Sequence, residues 1–328
     1  MISKKLPQIP THTLLSVYQR MLTIRLYEEK IVALYDEQEM KTPVHLYLGE
    51  EAVAAAICES LDSQDLIFSN HRSHGHYLAK GGDMTRLTAE LYGRRNGCSA
   101  GKGGSMHVVD PEAGVSGTSA IVGGGIPLAV GAALAFTIRK QNNVSVVFFG
   151  DGAVDEGVFH ESLNFAALKQ LPVLFVCENN LYATCSHRRQ RQSFASIHTL
   201  ATSYTIPSCQ VDGNDAMAVY AAGKTAIEKT RQGGGPQFIE CLTYRWKGHV
   251  GPDCDVRMGY RDQAELTQWQ NACPVKKMRR HLLRKNLVSE AELDSLHASI
   301  NKKIEASFQQ AKQSAFPFPE ELYDHVTG

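Results

Sequence analysis

The stretch NVSVVFFG, Asn143 to Gly150, is a β-branched and aromatic run in which Val146 to Phe149 stand side by side without alternation. A strand with one face in water alternates; one that does not must be covered on both faces. The segment EGVFHESLNFAALKQ follows, with Phe159, Leu163, Ala166 and Ala167 on one face of a helix. Then come PVLFVC (Pro172 to Cys177), which reads as the next buried strand, and PQFIECLTYRW (Pro236 to Trp246), which reads as a third. Strand, helix, strand with short connections closes as a right-handed parallel crossover. The chain is therefore expected to be α/β, a doubly wound, mostly parallel sheet flanked by helices.

Around this centre, Thr13 is placed to cap a helix in which Leu14, Tyr18, Met21 and Leu22 share a face. A second helix is expected over Glu51 to Ser60, after the turn at Gly49. HRSHGHYLAKGGD (His71 to Asp83) and the glycine-rich Asn96 to Gly125 read as two long loops, which in a compact chain are more often functional than idle. LAVGAALAF after Pro127 is a small-residue helix suited to close packing against a neighbour. No linker or repeat interrupts the sequence, so 1–328 is read as one domain, with a core over about 45–250 and a charged, amphipathic helical region over about 261–313.

Composition narrows the class. Lys plus Arg and Asp plus Glu both total 34, and this balance argues against nucleic acid or an anionic membrane as partner while leaving self-association open. The most apolar run, Ile126 to Phe136, is too short to span a bilayer. MISKKLPQIPTHTLL has neither the apolar core of a signal peptide nor the arginine and serine of a transit peptide. Eight cysteines stand singly with no C-x-x-C pair, which reads as reduced thiols in a cytoplasmic protein.

The chemistry is expected where the strands end. In a parallel sheet, ligands bind beyond the carboxyl ends of the strands. Asp151, between Gly150 and Gly152, ends the first run; Asn179 and Asn180 end the second, and the crossover brings the two ends together. A carboxylate and a neutral amide oxygen make a poor zinc site but suit magnesium, a hard ion that completes its shell with phosphate and water. The glycines allow close approach of backbone to ligand, and the next helix would offer its N-terminal amides to a phosphate. The residues thus point to a magnesium–diphosphate site. GDG alone is a common turn and ENN alone a common strand cap; the pair in sequence is far more specific.

GDGAVDEG followed by LPVLFVCENNLYA resembles the thiamine-diphosphate motif of the alpha subunit of 2-oxo acid dehydrogenases, the decarboxylating first component. The likeness extends over nearly the whole chain, through HLYLGEEA, HRSHGH, GCSAGKGGSMH, IVGGGIPLAVGAALA, TYRWKGH and FPFPEELY. It implies the thiamine-diphosphate-binding fold, with thiamine diphosphate and Mg²⁺ as cofactors. By the resemblance, the side chains of Asp151 and Asn180 and the carbonyl of Tyr182 would hold the metal. Gly152 and Ala153 would line the diphosphate, and Arg72 and His249 would reach it. Ala120 and Val122 would hold the aminopyrimidine, and His71 would stand on the cofactor side where many relatives carry an aromatic residue. His249 and His45 would be the catalytic pair, His45 as proton donor to the substrate; His74 and His107 are left open.

The resemblance also implies partners. The family's activating glutamate comes from a beta subunit, so an α2β2 heterotetramer is expected and the chain alone should be inactive. A lipoyl acyltransferase core and a small 2-oxo acid complete the implied partners, with no nucleic acid and no membrane. The stretch VGPDCDVRMGYRD after His249 has no serine, unlike relatives controlled by phosphorylation there. Pyruvate dehydrogenase, branched-chain and acetoin-cleaving variants stay open, as does half of a split transketolase, though GKGGSMH and ENNLYA favour the oxo acid family. A non-catalytic subunit would need broken cofactor positions. A nicotinamide fold would need a G-x-G-x-x-G spacing that Gly123 to Gly125 do not give.

Overall fold

The structure is a computed structural model and describes residues 8–40 and 42–324. The leader reading above falls partly on 1–7, outside the described residues. Among the described residues six strands form one wholly parallel sheet: β1 (Leu66–Ser69), β2 (Val115–Thr118), β3 (Ser145–Gly150), β4 (Val173–Asn179), β5 (Ser208–Asp212) and β6 (Gln237–Leu242). Their order across the sheet is β2-β1-β3-β4-β6-β5. The runs read as strands from sequence are the three adjacent central ones, β3, β4 and β6.

Period-two geometry explains why those runs do not alternate. Val146 and Phe148 of β3 point into one core, and Val147 and Phe149 into another on the opposite face. The larger core lies beneath α1 (Thr11–Leu34), α2 (Glu51–Cys58), α3 (Ser73–Lys80) and α4 (Met84–Leu91). The smaller lies beneath α5 (Gly125–Ile138), α6 (Gly157–Lys169) and α7 (His198–Ser203). From α8 (Ala216–Arg231) the chain returns to the larger side, and α9 (Gln263–Asn271), α10 (Pro274–Arg284) and α11 (Glu290–Gln313) build the expected helical C-terminal region.

Three local expectations need correction. Thr13 does not cap α1; the helix begins at Thr11 with Pro10 at the cap, and Thr13 is buried in the first turn. Proline has no N–H to continue a helix backwards, so it fixes the start. The stretch His71 to Asp83 is not one loop, because α3 occupies most of it. Its glycine is there for packing: a Cβ on Gly75 would lie 2.2 Å from the Tyr47 ring. Third, Asn96 to Gly125 is not all loop, because β2 lies within it. The helix read over Glu156 to Gln170 is α6; a 3₁₀ turn, Asp151–Asp155, separates it from β3, so the amides nearest the strand end belong to that turn.

Candidate functional site

One cavity of about 310 Å³ opens at the carboxyl ends of β1, β3, β4 and β6. β1 runs out into Asn70, His71 and Arg72; β3 into Gly150 to Ala153; β4 into Asn180 and Tyr182; and the chain beyond β6 supplies His249. Gly150 pairs with Glu178 in the β3–β4 register, which places Asp151 and Asn180 on neighbouring strand tips. Val122 lines the wall beside Ile121; Ala120 and His45 are not among the lining residues.

The donor set can be tested against a magnesium–diphosphate group. Asp151 is 1% exposed, and burial raises its pKa against the lowering pull of Arg191. Asn180 gives its Nδ2 to Glu50 Oε1 at 3.1 Å, which fixes the amide with Oδ1 on the opposite side, where it accepts from Tyr182 N at 3.3 Å. The ring of Tyr182 packs against Tyr244 and its hydroxyl donates to Glu265 at 2.8 Å, leaving the main chain as what Tyr182 can offer the cavity. Its carbonyl accepts no hydrogen bond among the described residues: the bridge to His187 is made by Arg188 N to Leu181 O and Ala183 N to Ser186 O. Leu181 between these groups has φ 73°, a costly angle for a branched side chain. Neither Gly150 nor Gly152 has a positive φ, and a Cβ on either would meet protein no closer than 3.5 Å. Protein packing does not explain the missing side chains, and the bare backbone leaves room for a ligand to approach. The residues fit the group.

Arg72 is buried and donates to the carbonyls of Leu46 and His249, both at 3.0 Å. Burial, then the charge of Arg245, lowers its pKa to about 10, so it stays cationic at neutral pH. Glu50, 1% exposed, keeps Oε2 without a partner, and burial followed by repulsion from Glu178 pushes its pKa up.

A second group stands at one end of the cavity. Backbone bonds from Trp246 N to Leu48 O (2.9 Å) and Gly251 N to Val44 O (2.8 Å) lay 44–48 alongside 246–251, bringing His45 to His249. The rings of His45, His71 and His249 lie 4.7 to 5.2 Å apart, centroid to centroid. Burial first, then the Arg72 charge, lowers their pKa values to about 3, 2 and 4 respectively. All three are neutral at pH 7. Their nitrogens lie within 4.8 Å of one another, a spacing a transition metal could use, but the nearby Arg72 charge opposes a dication. As a neutral imidazole His45 can donate a hydrogen bond but is a poor acid.

The two undecided histidines part here. His74 is wholly buried with both nitrogens engaged, by Glu28 at 3.1 Å and Ser105 at 2.8 Å, a structural role. His107 is exposed and lines no part of the cavity. What sequence reasoning missed is Arg191, whose guanidinium forks onto Asp151 and Asp155. The only sequence signal is the basic run HRRQRQ just after ENNLYA.

The fold and site together define an α/β chain that gathers a buried carboxylate, an amide and an arginine around one cavity at its strand ends. The dehydrogenase E1 component family model matches residues 19–320. The chain belongs to this family, the thiamine-diphosphate-dependent 2-oxo acid dehydrogenases, on its alpha-subunit side. It is 41% identical over 310 residues to the alpha subunit of acetoin:2,6-dichlorophenolindophenol oxidoreductase of Bacillus subtilis, covering 94% of this chain and 92% of that one. It is 38% identical over 318 residues to the pyruvate dehydrogenase E1 component subunit alpha of Porphyra purpurea, covering 95% and 92%. The corresponding subunit of Rhizobium meliloti is 37% identical over 313 residues, covering 95% and 89%. Among the described residues, no helix is long and apolar enough to cross a membrane.

Proposed function

We propose that this alpha subunit holds the magnesium–diphosphate end of thiamine diphosphate and completes its active site with a beta subunit. Asp151, Asn180 and the Tyr182 carbonyl bind the cation. Gly152, Ala153, Arg72 and His249 bind the diphosphate, and Ala120 and Val122 support the aminopyrimidine through their backbone. The observation that carries this is the meeting of Asp151 and Asn180 on adjacent strand tips in one cavity. When bound, the cofactor supplies a carbon nucleophile that attacks the substrate carbonyl and stabilises the charge left behind. The chain's own part is to hold that cofactor by its charged tail, screen the site from water, and present neutral imidazoles from His45, His71 and His249 to the substrate.

A beta partner is supported by the relatives, which are themselves named alpha subunits. The surface agrees with it. Ile121 and Val122 on the cavity wall, with Leu128 of α5 and Phe165 and Leu168 of α6, are exposed apolar side chains on one side of the sheet. The beta subunit is the occupant this face fits, since covering it also closes the cavity's open wall.

The substrate of the main reading is a 2-oxo acid such as pyruvate, its two-carbon unit passing to a lipoyl group. A second, uncharged substrate, an α-hydroxyketone such as acetoin, is favoured by the 41% identity to the alpha subunit of an acetoin oxidoreductase. Assay of the assembled complex with an acceptor dye decides between them. Turnover of pyruvate or branched-chain oxo acids supports the first substrate, turnover of acetoin the second, and turnover of ketose phosphates alone would overturn both.

A further inference from the structure

Asp151 already has a cation. Arg191 Nη2 pairs with Asp151 Oδ2 while Nη1 pairs with Asp155 Oδ2, so one guanidinium bridges the carboxylate read here as a metal ligand and a second one four residues on. Arg191 lines the cavity and is mostly buried, its side chain 17% exposed. Two further observations bear on what it does. Its Nε is buried with no partner, so the guanidinium is incompletely satisfied where it stands. The loop that carries it has an independent tether: Gln192 Nε2 donates to the Asp151 carbonyl and to Asp155 Oδ1, both at 2.9 Å. The loop therefore stays in place without the Arg191–Asp151 contact.

We propose that Arg191 is a built-in competitor for the divalent-cation site: guanidinium and metal exchange on Asp151, and Arg191 thereby sets how tightly the enzyme retains its metal. This inference rests on the reading of Asp151 as a cation ligand. The physics is charge competition. A carboxylate shared with a guanidinium a few ångströms away offers a dication less net attraction, and the penalty is greatest where water is excluded. When the metal takes Asp151, Arg191 keeps Asp155 and Gln192 keeps the turn, so the exchange costs one contact rather than the loop.

The test is Mn²⁺ binding to the assembled alpha–beta complex in the presence of thiamine diphosphate, read by electron paramagnetic resonance of the free ion. Arg191→Met should bind Mn²⁺ about tenfold more tightly than wild type, the effect of removing one unit charge beside the site. Arg191→Gln should do the same, and Arg191→Lys, which keeps the charge, should stay near wild type. Equal or weaker binding by both neutral variants, with unchanged melting temperatures, would overturn the inference. If Asp151→Asn bound Mn²⁺ as wild type does, the reading of the site itself would fall, an outcome distinct from failure of the competition alone.

Discussion

Histidines 45, 71 and 249 share one environment and respond to pH together. The ordinary pKa is 6.5, and the folded values are about 3, 2 and 4. Below pH 6.5 the unfolded chain takes up protons that the folded chain refuses until far lower pH. Stability carried by these groups is thus present above 6.5 and is lost as pH falls from 6.5 toward 4. In His71→Phe one of the three no longer contributes, so the fall in melting temperature between pH 7 and 4.5 should be shallower than in wild type. An equal or steeper fall would show that His71 is not held neutral. Catalysis should likewise show no acid limb near 6.5 from this cluster.

Two loops that frame the cavity are joined by one buried charge group. Arg245, 1% exposed, pairs with Asp255 and donates to the carbonyls of Ala183 and Thr184 at 3.2 and 3.3 Å. Arg261 pairs with Asp255 at 3.4 Å. The stretch after His249 is thereby fastened to the stretch after Asn180. Asp255→Asn would leave two buried guanidiniums facing a neutral amide, and the loss should be about 3 kcal/mol in urea denaturation. A loss under about 1 kcal/mol, the value of an exposed pair, would deny the buried character of the group.

At this scale it is also clear what the sequence could reveal. β3 and β4 were legible because burial on both faces leaves a nearly continuous apolar run, and β6 because Phe238, Ile239, Cys241 and Leu242 keep most of one around the buried Glu240. β5, SCQVD, lies at a sheet edge, partly or fully exposed along its length, so it carries no such run. β1 and β2 have only four residues each. α3 was hidden because its histidines and glycine imitate a loop, although the whole segment up to Ala79 is buried. Asp151 and Asn180 could be read because each ends a legible strand. Arg191 could not, since its partner Asp151 lies 40 residues away and only the folded loop joins them.

For the whole molecule, the sheet, its cores and the helical C-terminal region position one cavity beside an exposed apolar wall. On the proposed function that cavity is the tail-binding half of an active site, and a second subunit would close the wall. The beta chain is thus expected to raise cofactor affinity as well as supply chemistry: this chain alone should bind thiamine diphosphate weakly and turn over no substrate.

The most direct measurement is calorimetry of thiamine diphosphate binding to the assembled complex, with and without Mg²⁺, for wild type and Asp151→Ala. Cofactor uptake should require Mg²⁺ in wild type and fall at least about 100-fold in Asp151→Ala, as expected when the one charged ligand of a hard cation is removed. Uptake independent of Mg²⁺, or unchanged in Asp151→Ala, would contradict the account.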